Sequence, residues 1–116
     1  VIDVRKNAYS HKFGFSGGPL RRLCSKVGIA YQHIPDLGVP SKLRADISSD
    51  EKRQALFIRY KAEILPSERD AQRRAIDLLS ERPAALLCME RHHRDCHRGA
   101  LASVLAPKAK LPIVHL

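Results

Sequence analysis

The sequence predicts an α/β fold, a three-layer Rossmann-like domain in which a mainly parallel sheet is flanked by helices. Short apolar runs of the kind found in buried strands alternate along the chain with stretches whose apolar residues recur at helical spacing. Strands that alternate with helices favour parallel pairing, with right-handed crossovers that cover both faces of the sheet. We expect residues 1–116 to form a single domain, because domains of about 100–150 residues are the commonest size.

The apolar spacing also predicts where each element lies. Gly28 separates the first helix from the second strand, as a C-terminal stop should. In chain order, the predicted elements are strand 1–4, helix 17–27, strand 29–34, helix 50–64, helix 67–79, strand 84–89, helix 96–105 and strand 111–116.

The charge of the chain indicates a polyanionic partner. Lys and Arg number 21 against 12 Asp and Glu, which gives a formal net charge of +9. A positive field attracts phosphate-bearing ligands and nucleic acid, although a solvated basic surface is the plain alternative. No run has the apolar length of a membrane span, so no membrane partner is expected. Three cysteines without an export signal favour a cytoplasmic protein over a disulfide-stapled one.

Polar residues stand where three of the predicted strands end. Asp3 and Arg5 close the first strand, His33 closes the second, and Cys88 with Glu90 closes the third, each pair on one side of its strand. Parallel strands end at one edge of a sheet, where open α/β sheets bind ligands, so we expect these side chains to converge. The helix that opens at Cys96–Arg98 would add backbone NH groups and the positive end of its dipole. The sequence therefore predicts a polar, anion-binding pocket at this edge.

Four residues of the pocket are candidate catalytic groups. Glu90 and His97 are the natural acid and base of a hydrolase or transferase, because burial can raise a carboxyl pKa and imidazole titrates near neutrality. Asp3 could orient the imidazole or activate water. Cys96, at a helix N-terminus beside cations, could be a thiolate nucleophile. The alternative for each is a structural role, as part of an ion pair or as a packed thiol.

Four basic residues are candidate ligand-binding groups. Arg5, Arg91 and Arg98 could share the charge of a phosphate, with hydrogen bonds from backbone NH groups at the helix start. Asp95 is the expected N-cap of that helix and would compete for those NH groups. Lys12 lies in a Gly-rich loop with two aromatic residues that could stack on a base, or could instead anchor the loop to the core.

Metal binding is the less favoured hypothesis for the same region. Cys88, His92, His93, Cys96 and His97 are all potential ligands. The two cysteines, however, do not have the close paired spacing that is typical of structural zinc sites. Cys88, inside the strand, is expected to pack. We therefore predict neither a metal nor another cofactor.

A set of short motifs runs through almost the whole chain. They are Asp3-Val4-Arg5, Ser10-His11-Lys12-Phe13, Gly28-Ile29-Ala30-Tyr31-Gln32-His33 with Leu37-Gly38, Cys88-Met89-Glu90-Arg91 and Cys96-His97-Arg98. In order and spacing they resemble the uncharacterised bacterial domain-of-unknown-function family 488. The resemblance implies a small α/β domain without an assigned activity. It also implies an extra strand with a Gly-His-Ser motif ahead of Val1, so we expect the sheet to lack its first strand.

Three hypotheses for function stay open. The first is an enzyme or binding protein whose pocket accepts a nucleotide or nucleic-acid component, with Glu90 and His97 moving protons. The second is a non-catalytic nucleic-acid-binding or regulatory module. The third is a thiol-dependent redox protein. Fast alkylation of Cys96 at neutral pH would indicate the third, and salt-sensitive binding that survives loss of His97 would indicate the second.

Overall fold

The computed structural model describes all 116 residues, and a small parallel sheet lies at its centre. The strands are β1 (Ile2–Asp3), β2 (Gln32–His33) and β3 (Leu86–Leu87). They are arranged in the order β2-β1-β3, and both neighbours of β1 pair with it in parallel. The predicted α/β class with a parallel sheet is therefore confirmed.

Helices cover both faces of this sheet. They are α1 (Gly17–Lys26), α2 (Asp50–Arg59), α3 (Arg69–Glu81) and α4 (His97–Ala109). The connection through α1 runs from β1 to β2, whereas the connection through α2 and α3 runs back past β1 to β3. Right-handed crossovers in these opposite directions put α1 on one face and α2 with α3 on the other. Since α4 packs on α3, it shares the face of α3. None of these helices combines the length and apolar character that crossing a bilayer requires.

The main core lies between the sheet and the helices α3 and α4. Its buried residues are Ile2, Val4, Ile34, Leu37, Val39, Tyr60, Leu65, Ala71, Ala75, Leu101 and Leu105. Ile2 and Val4 alternate with Asp3 along the first strand, so the apolar pair faces this core and Asp3 faces α1. Tyr60 opens a π-helical turn that continues α2, and its hydroxyl donates to the Leu37 carbonyl at 2.5 Å. The strand thus presents a different chemistry to each face.

Glycine at position 38 lets the segment after β2 approach the end of β1. A Cβ atom on Gly38 would lie 2.3 Å from the backbone nitrogen of Lys6, closer than any side chain allows. Leu37, its neighbour, is fully buried. The Leu37-Gly38 motif therefore combines a core anchor with a close backbone contact.

The predicted helix stop is confirmed, but the predicted final strand is wrong. Gly28 follows α1 with a φ of +74°, in the left-handed region that favours glycine. Beyond α4, Lys110 adopts a left-handed conformation, and the Leu111 NH donates to the Ala106 carbonyl. This turn caps the helix and does not align residues 111–116 with β3, so they form no strand pairing.

Candidate functional site

Two cysteines, a histidine and a glutamate meet where α4 begins. Cys88 Sγ lies 3.6 Å from His97 Nδ1, and Cys96 Sγ lies 3.8 Å from the same nitrogen. The three atoms all lie within 4.8 Å of one another. Glu90 Oε2 stands 3.3 Å from Cys88 Sγ. Cys96 and His97 are buried, while Cys88 and Glu90 are half-buried. We call these four residues the thiol cluster.

The start of α4 fixes the position of one sulfur. Cys96 is the N-cap in an extended conformation, and its Sγ accepts a hydrogen bond from the Arg98 backbone NH at 3.4 Å. The prediction that Asp95 would be the N-cap is therefore wrong. A 3₁₀ turn over His93–Asp95 ends before the helix begins, and Asp95 instead lies 3.8 Å from an Arg53 nitrogen. The thiol consequently occupies the place of the usual capping oxygen.

Gly99 keeps the 3₁₀ turn close to the first turn of α4. A Cβ atom on Gly99 would lie 2.7 Å from the His93 carbonyl oxygen. Real side chains do not tolerate that approach, so a larger residue would push the two segments apart. The sulfur of Cys96, which lies between these segments, depends on this contact for its position.

The imidazole of His97 is oriented by the end of β1. Its Nε2 lies 3.0 Å from the Val4 carbonyl oxygen, and its ring packs edge to face on Tyr60 with 5.3 Å between centroids. A carbonyl can only accept, so Nε2 carries the hydrogen and Nδ1 of the neutral ring keeps its lone pair. The sequence suggested that Asp3 could orient this ring, but the Val4 carbonyl does so instead. The free lone pair points towards the two sulfurs.

The pKa values of the two thiols in the cluster shift in opposite directions. A hydrogen bond from the Cys88 thiol outweighs the effect of burial and, with help from His97, lowers the pKa of Cys96 to about 6. The same hydrogen bond, together with burial, raises the pKa of Cys88. At neutral pH the cluster therefore contains one thiolate and one thiol.

From its burial we expected a raised pKa for Glu90, but the net shift is downward. Burial does act in the expected direction, but hydrogen bonding from the cysteine thiols and the positive charge of Arg44 outweigh it, so the pKa lies below its usual value. Arg44 Nη2 lies 2.6 Å from Glu90 Oε1. Glu90 is therefore ionised at neutral pH and can accept a proton, but it has none to donate.

The arginine at the start of α4 donates hydrogen bonds to the backbone of the preceding loop. Arg98 donates to the Glu90 carbonyl at 2.6 Å and to the Arg91 carbonyl at 2.8 Å. Arg91 itself is exposed and takes part in no ion pair. The backbone NH groups of Asp95 and Cys96 donate to the carbonyls of His92 and His93. Most of the donors that were expected to bind an anion are thus engaged within the chain.

Asp3 and Arg5 form a separate cluster on the α1 face of the sheet. Arg5 donates to both carboxylate oxygens of Asp3, with Nη2 at 2.6 Å and Nε at 2.8 Å, and its remaining Nη1 donates to the Phe15 carbonyl. The Tyr31 hydroxyl donates to the same carboxylate. We call Asp3, Arg5 and Tyr31 the ion-pair cluster. Its side chains form no hydrogen bond or ion pair with Cys96 or His97, so the bonded contacts join only part of the predicted set.

Burial and hydrogen bonding compete in this second cluster. Burial disfavours the charged carboxylate, but the hydrogen bonds from Arg5 and Tyr31 outweigh it and hold the pKa of Asp3 below its usual value. Burial and the neighbouring carboxylate raise the pKa of Tyr31 to about 12. The ion-pair cluster therefore stays charged and fully hydrogen-bonded over the physiological range.

Lys12 lies outside both clusters. It is exposed, and its Nζ sits 4.7 Å above the Phe15 ring. Phe13 beside it is 99% exposed, so this ring does not anchor the loop to the core. The loop forms an aromatic and basic surface next to α1.

The role of Cys88 was not predicted from the sequence, and neither were the contacts of Tyr31 and Arg44. Alternation along the strand put Cys88 on the same side as Glu90, but its thiol was expected to pack. Tyr31 lies in the Gly-Ile-x-Tyr-x-His motif, but the motif did not indicate that its hydroxyl donates to Asp3. Arg44 reaches Glu90 across 46 positions, and no local pattern announces such a contact.

The geometry defines a class: α/β proteins with cysteine and histidine side chains gathered at the start of a helix. The chain belongs to the family described as "Domain of unknown function DUF488", whose model matches residues 1–105. The resemblance inferred from the motifs is thereby confirmed. No curated protein and no solved structure matches the chain.

Proposed function

We propose that this chain is a thiol-dependent redox protein in which Cys88 and Cys96 interconvert between a dithiol and a disulfide. One observation carries the proposal: both sulfurs and the His97 Nδ1 atom lie within 4.8 Å of one another. The lowered pKa of Cys96 and the raised pKa of Cys88 support it, because thiol exchange needs one thiolate to attack and a second thiol to resolve.

The proposed reaction consists of two exchange steps. The Cys96 thiolate attacks one sulfur of a low-molecular-weight disulfide, whose S–S bond breaks and releases one thiolate. Cys88 then passes its proton to His97 Nδ1 and attacks the Cys96 sulfur, which forms the intramolecular disulfide and expels the second thiolate. Two electrons thereby pass from the cysteine pair to the small disulfide. A cleft of about 440 Å³ between α2 and the start of α4 borders Cys96 and would admit the reagent.

We also propose that the chain acts in the cytoplasm. A reducing compartment would keep both thiols free until an oxidant appears. A nucleotide or phosphate pocket at the start of α4 receives less support, because Arg5 and Arg98 donate to groups of the chain itself. Acid and base catalysis by Glu90 and His97 would need a bound substrate that no observation identifies.

Equilibration with mixtures of reduced and oxidised glutathione tests the redox proposal. After acid quenching, mass spectrometry should detect a Cys88–Cys96 disulfide that forms in a single two-electron transition. Cys24, on α1, should stay reduced, and the matched variant Cys24→Ser should show the same transition. A folded chain that forms only mixed disulfides, or none, at the most oxidising ratios would rule the proposal out.

A second candidate function rests on the distribution of charge. Residues 4–35 contain no acidic residue, whereas Arg5, Lys6, Lys12, Arg21, Arg22 and Lys26 are basic. All of these except Arg5 are exposed, as are the rings of Tyr9 and Phe13. Exposed aromatic rings beside cations bind single-stranded nucleic acid by stacking and charge neutralisation. We propose that this basic surface binds single-stranded nucleic acid.

Binding of a fluorescent oligonucleotide at several salt concentrations tests the second function. The double variant Arg21→Gln/Arg22→Gln should bind more weakly and lower the salt dependence by roughly 0.7 per lost phosphate contact for a single strand. The matched variant Lys61→Gln/Arg73→Gln removes two charges outside this surface. Equal losses in the two variants would indicate attraction by net charge alone and would reject a defined surface.

A further inference from the structure

We propose that the reduced thiol cluster binds one Zn²⁺ ion through Cys88 Sγ, Cys96 Sγ and His97 Nδ1. In this proposal the zinc-bound and disulfide forms are alternative states of the same site. The first statement stands on geometry, and only the second rests on the proposed redox function.

The distances match a tetrahedral ion. Zinc bonds of about 2.3 Å to sulfur and about 2.0–2.1 Å to nitrogen place a sulfur and a nitrogen ligand roughly 3.5 Å apart. The two sulfurs of the cluster lie 3.6 Å and 3.8 Å from His97 Nδ1. No pair of the three atoms is more than 4.8 Å apart, so small shifts would bring all of them to one ion.

The contacts around the ligands are those that metal ligands use. A histidine that binds a metal usually donates its other ring NH to a carboxylate or backbone carbonyl, which fixes the tautomer. His97 Nε2 does this with the Val4 carbonyl at 3.0 Å, so Nδ1 is the atom presented to the sulfurs. The Arg98 backbone NH points at Cys96 Sγ at 3.4 Å and would stabilise negative charge on a bound thiolate.

The ligand types select the ion. Two sulfurs and one imidazole suit a soft or borderline cation such as Zn²⁺ and do not suit Mg²⁺ or Ca²⁺, which prefer oxygen. Three protein ligands leave the fourth tetrahedral position open to water. Glu90 Oε2 lies 3.3 Å from Cys88 Sγ, so it borders the ligand set and could accept a hydrogen bond from such a water.

Zinc and oxidation would then compete for the same sulfur lone pairs. When the zinc-bound pair reacts with a small disulfide, the products are the Cys88–Cys96 disulfide, two small thiolates and a free Zn²⁺ ion. The two cysteines lose two electrons, the small disulfide gains them, and the ion keeps its charge. Bound zinc should therefore slow the oxidation of Cys88 and Cys96.

Titration of the reduced, metal-free chain with Zn²⁺ in competition with a chromophoric chelator tests the site. One ion per chain should bind, and Co²⁺ in its place should give the intense visible bands of a tetrahedral thiolate complex. The variants Cys88→Ser, Cys96→Ser and His97→Ala should lose stoichiometric binding, whereas Cys24→Ser should keep it. Circular dichroism of each variant shows whether it has folded.

Alkylation of the wild-type chain gives a test that does not depend on a variant's folding. One equivalent of Zn²⁺ should protect Cys88 and Cys96 from alkylation and leave Cys24 unchanged, as mapped by mass spectrometry. The proposal is wrong if the folded wild-type chain binds no zinc, or if a folded Cys88→Ser/Cys96→Ser variant binds it equally well. Zinc binding without disulfide formation would reject only the redox function, and disulfide formation without zinc binding would reject only the metal site.

Discussion

The two clusters that flank β1 differ in how well their polar atoms are satisfied. In the ion-pair cluster, each side-chain nitrogen of Arg5 donates to a strong acceptor, at distances from 2.6 to 2.8 Å. In the thiol cluster, the contacts of His97 Nδ1 are with sulfurs at 3.6 and 3.8 Å. In the first cluster every side-chain nitrogen of Arg5 is used in a strong hydrogen bond. In the second cluster two sulfurs and an imidazole nitrogen lie close together and make only weak contacts.

This difference separates stability from chemistry. A buried charge pair with all its partners fixes the end of β1 against α1, and it leaves no group free to react. A thiolate, a thiol and an imidazole lone pair can still form new bonds to sulfur or to a metal. We therefore expect changes in the ion-pair cluster to alter unfolding and changes in the thiol cluster to alter reactivity.

The largest effect should come from Asp3→Asn in the ion-pair cluster. The substitution leaves the buried Arg5 guanidinium without a counter-charge, which should lower the free energy of unfolding by about 3–5 kcal/mol. Urea denaturation measures this loss. Because the pKa of Asp3 is lowered by folding, its stabilisation is present above its unfolded pKa and is lost as pH falls through the folded value. The variant should lack that part of the acid sensitivity.

The surface pair of Arg59 and Glu63 gives the matched control for this substitution. Its nitrogen and oxygen lie 2.7 Å apart, but both side chains are more than half exposed. Glu63→Gln should change the free energy of unfolding by no more than about 0.5 kcal/mol. If Asp3→Asn and Glu63→Gln lowered the free energy of unfolding by similar amounts, the ion-pair cluster would stabilise the fold no more than a surface pair does.

Tyr31→Phe should have the next largest effect. It removes a hydrogen bond to a buried carboxylate, a contact worth about 1.5–3 kcal/mol. The raised pKa of about 12 also has a sign that can be tested. Its stabilisation is complete below the unfolded tyrosine pKa of about 10 and is lost as pH rises through the folded value. The wild-type chain should lose stability over this alkaline range more steeply than Tyr31→Phe, with the exposed Tyr9→Phe as control.

The sequence predicts much of the fold and part of the site, and the division has a physical cause. Periodicity in Gly17–Lys26 and Arg69–Glu81 is local, so the helices are found correctly. The apolar tail 111–116 has strand-like composition, but pairing depends on a neighbouring edge that composition does not describe. Likewise, the spacing of Cys88 and Cys96 along the sequence argues against a metal site. The two sulfurs come close together through the turn over His93–Asp95, and the spacing does not reveal this approach.

The variant Cys88→Ala tests what lowers the pKa of Cys96 in the thiol cluster. A hydrogen bond from Cys88 is the main cause of the lowered Cys96 pKa of about 6, so its loss should move that pKa towards the ordinary value of about 8.5. Thiolate absorbance in the ultraviolet, measured against pH in a Cys24→Ser background, follows the change. A midpoint that stays near 6 would assign the acidity to His97 and the helix start instead.

Arg44→Gln should lower stability less than either substitution in the ion-pair cluster. Arg44 and Glu90 make an ion pair of 2.6 Å, the same nitrogen–oxygen distance as the Arg5–Asp3 pair, but about a quarter of each side chain is exposed. Because solvent screens this pair, its loss should lower the free energy of unfolding by less than about 1 kcal/mol in urea denaturation. The pKa of Glu90 should rise at the same time, since Arg44 helps to lower it. The two pairs have the same distance. If Arg44→Gln lowered the free energy of unfolding as much as Asp3→Asn, burial would not determine how much each pair stabilises the fold, and the contrast between the two clusters would fail.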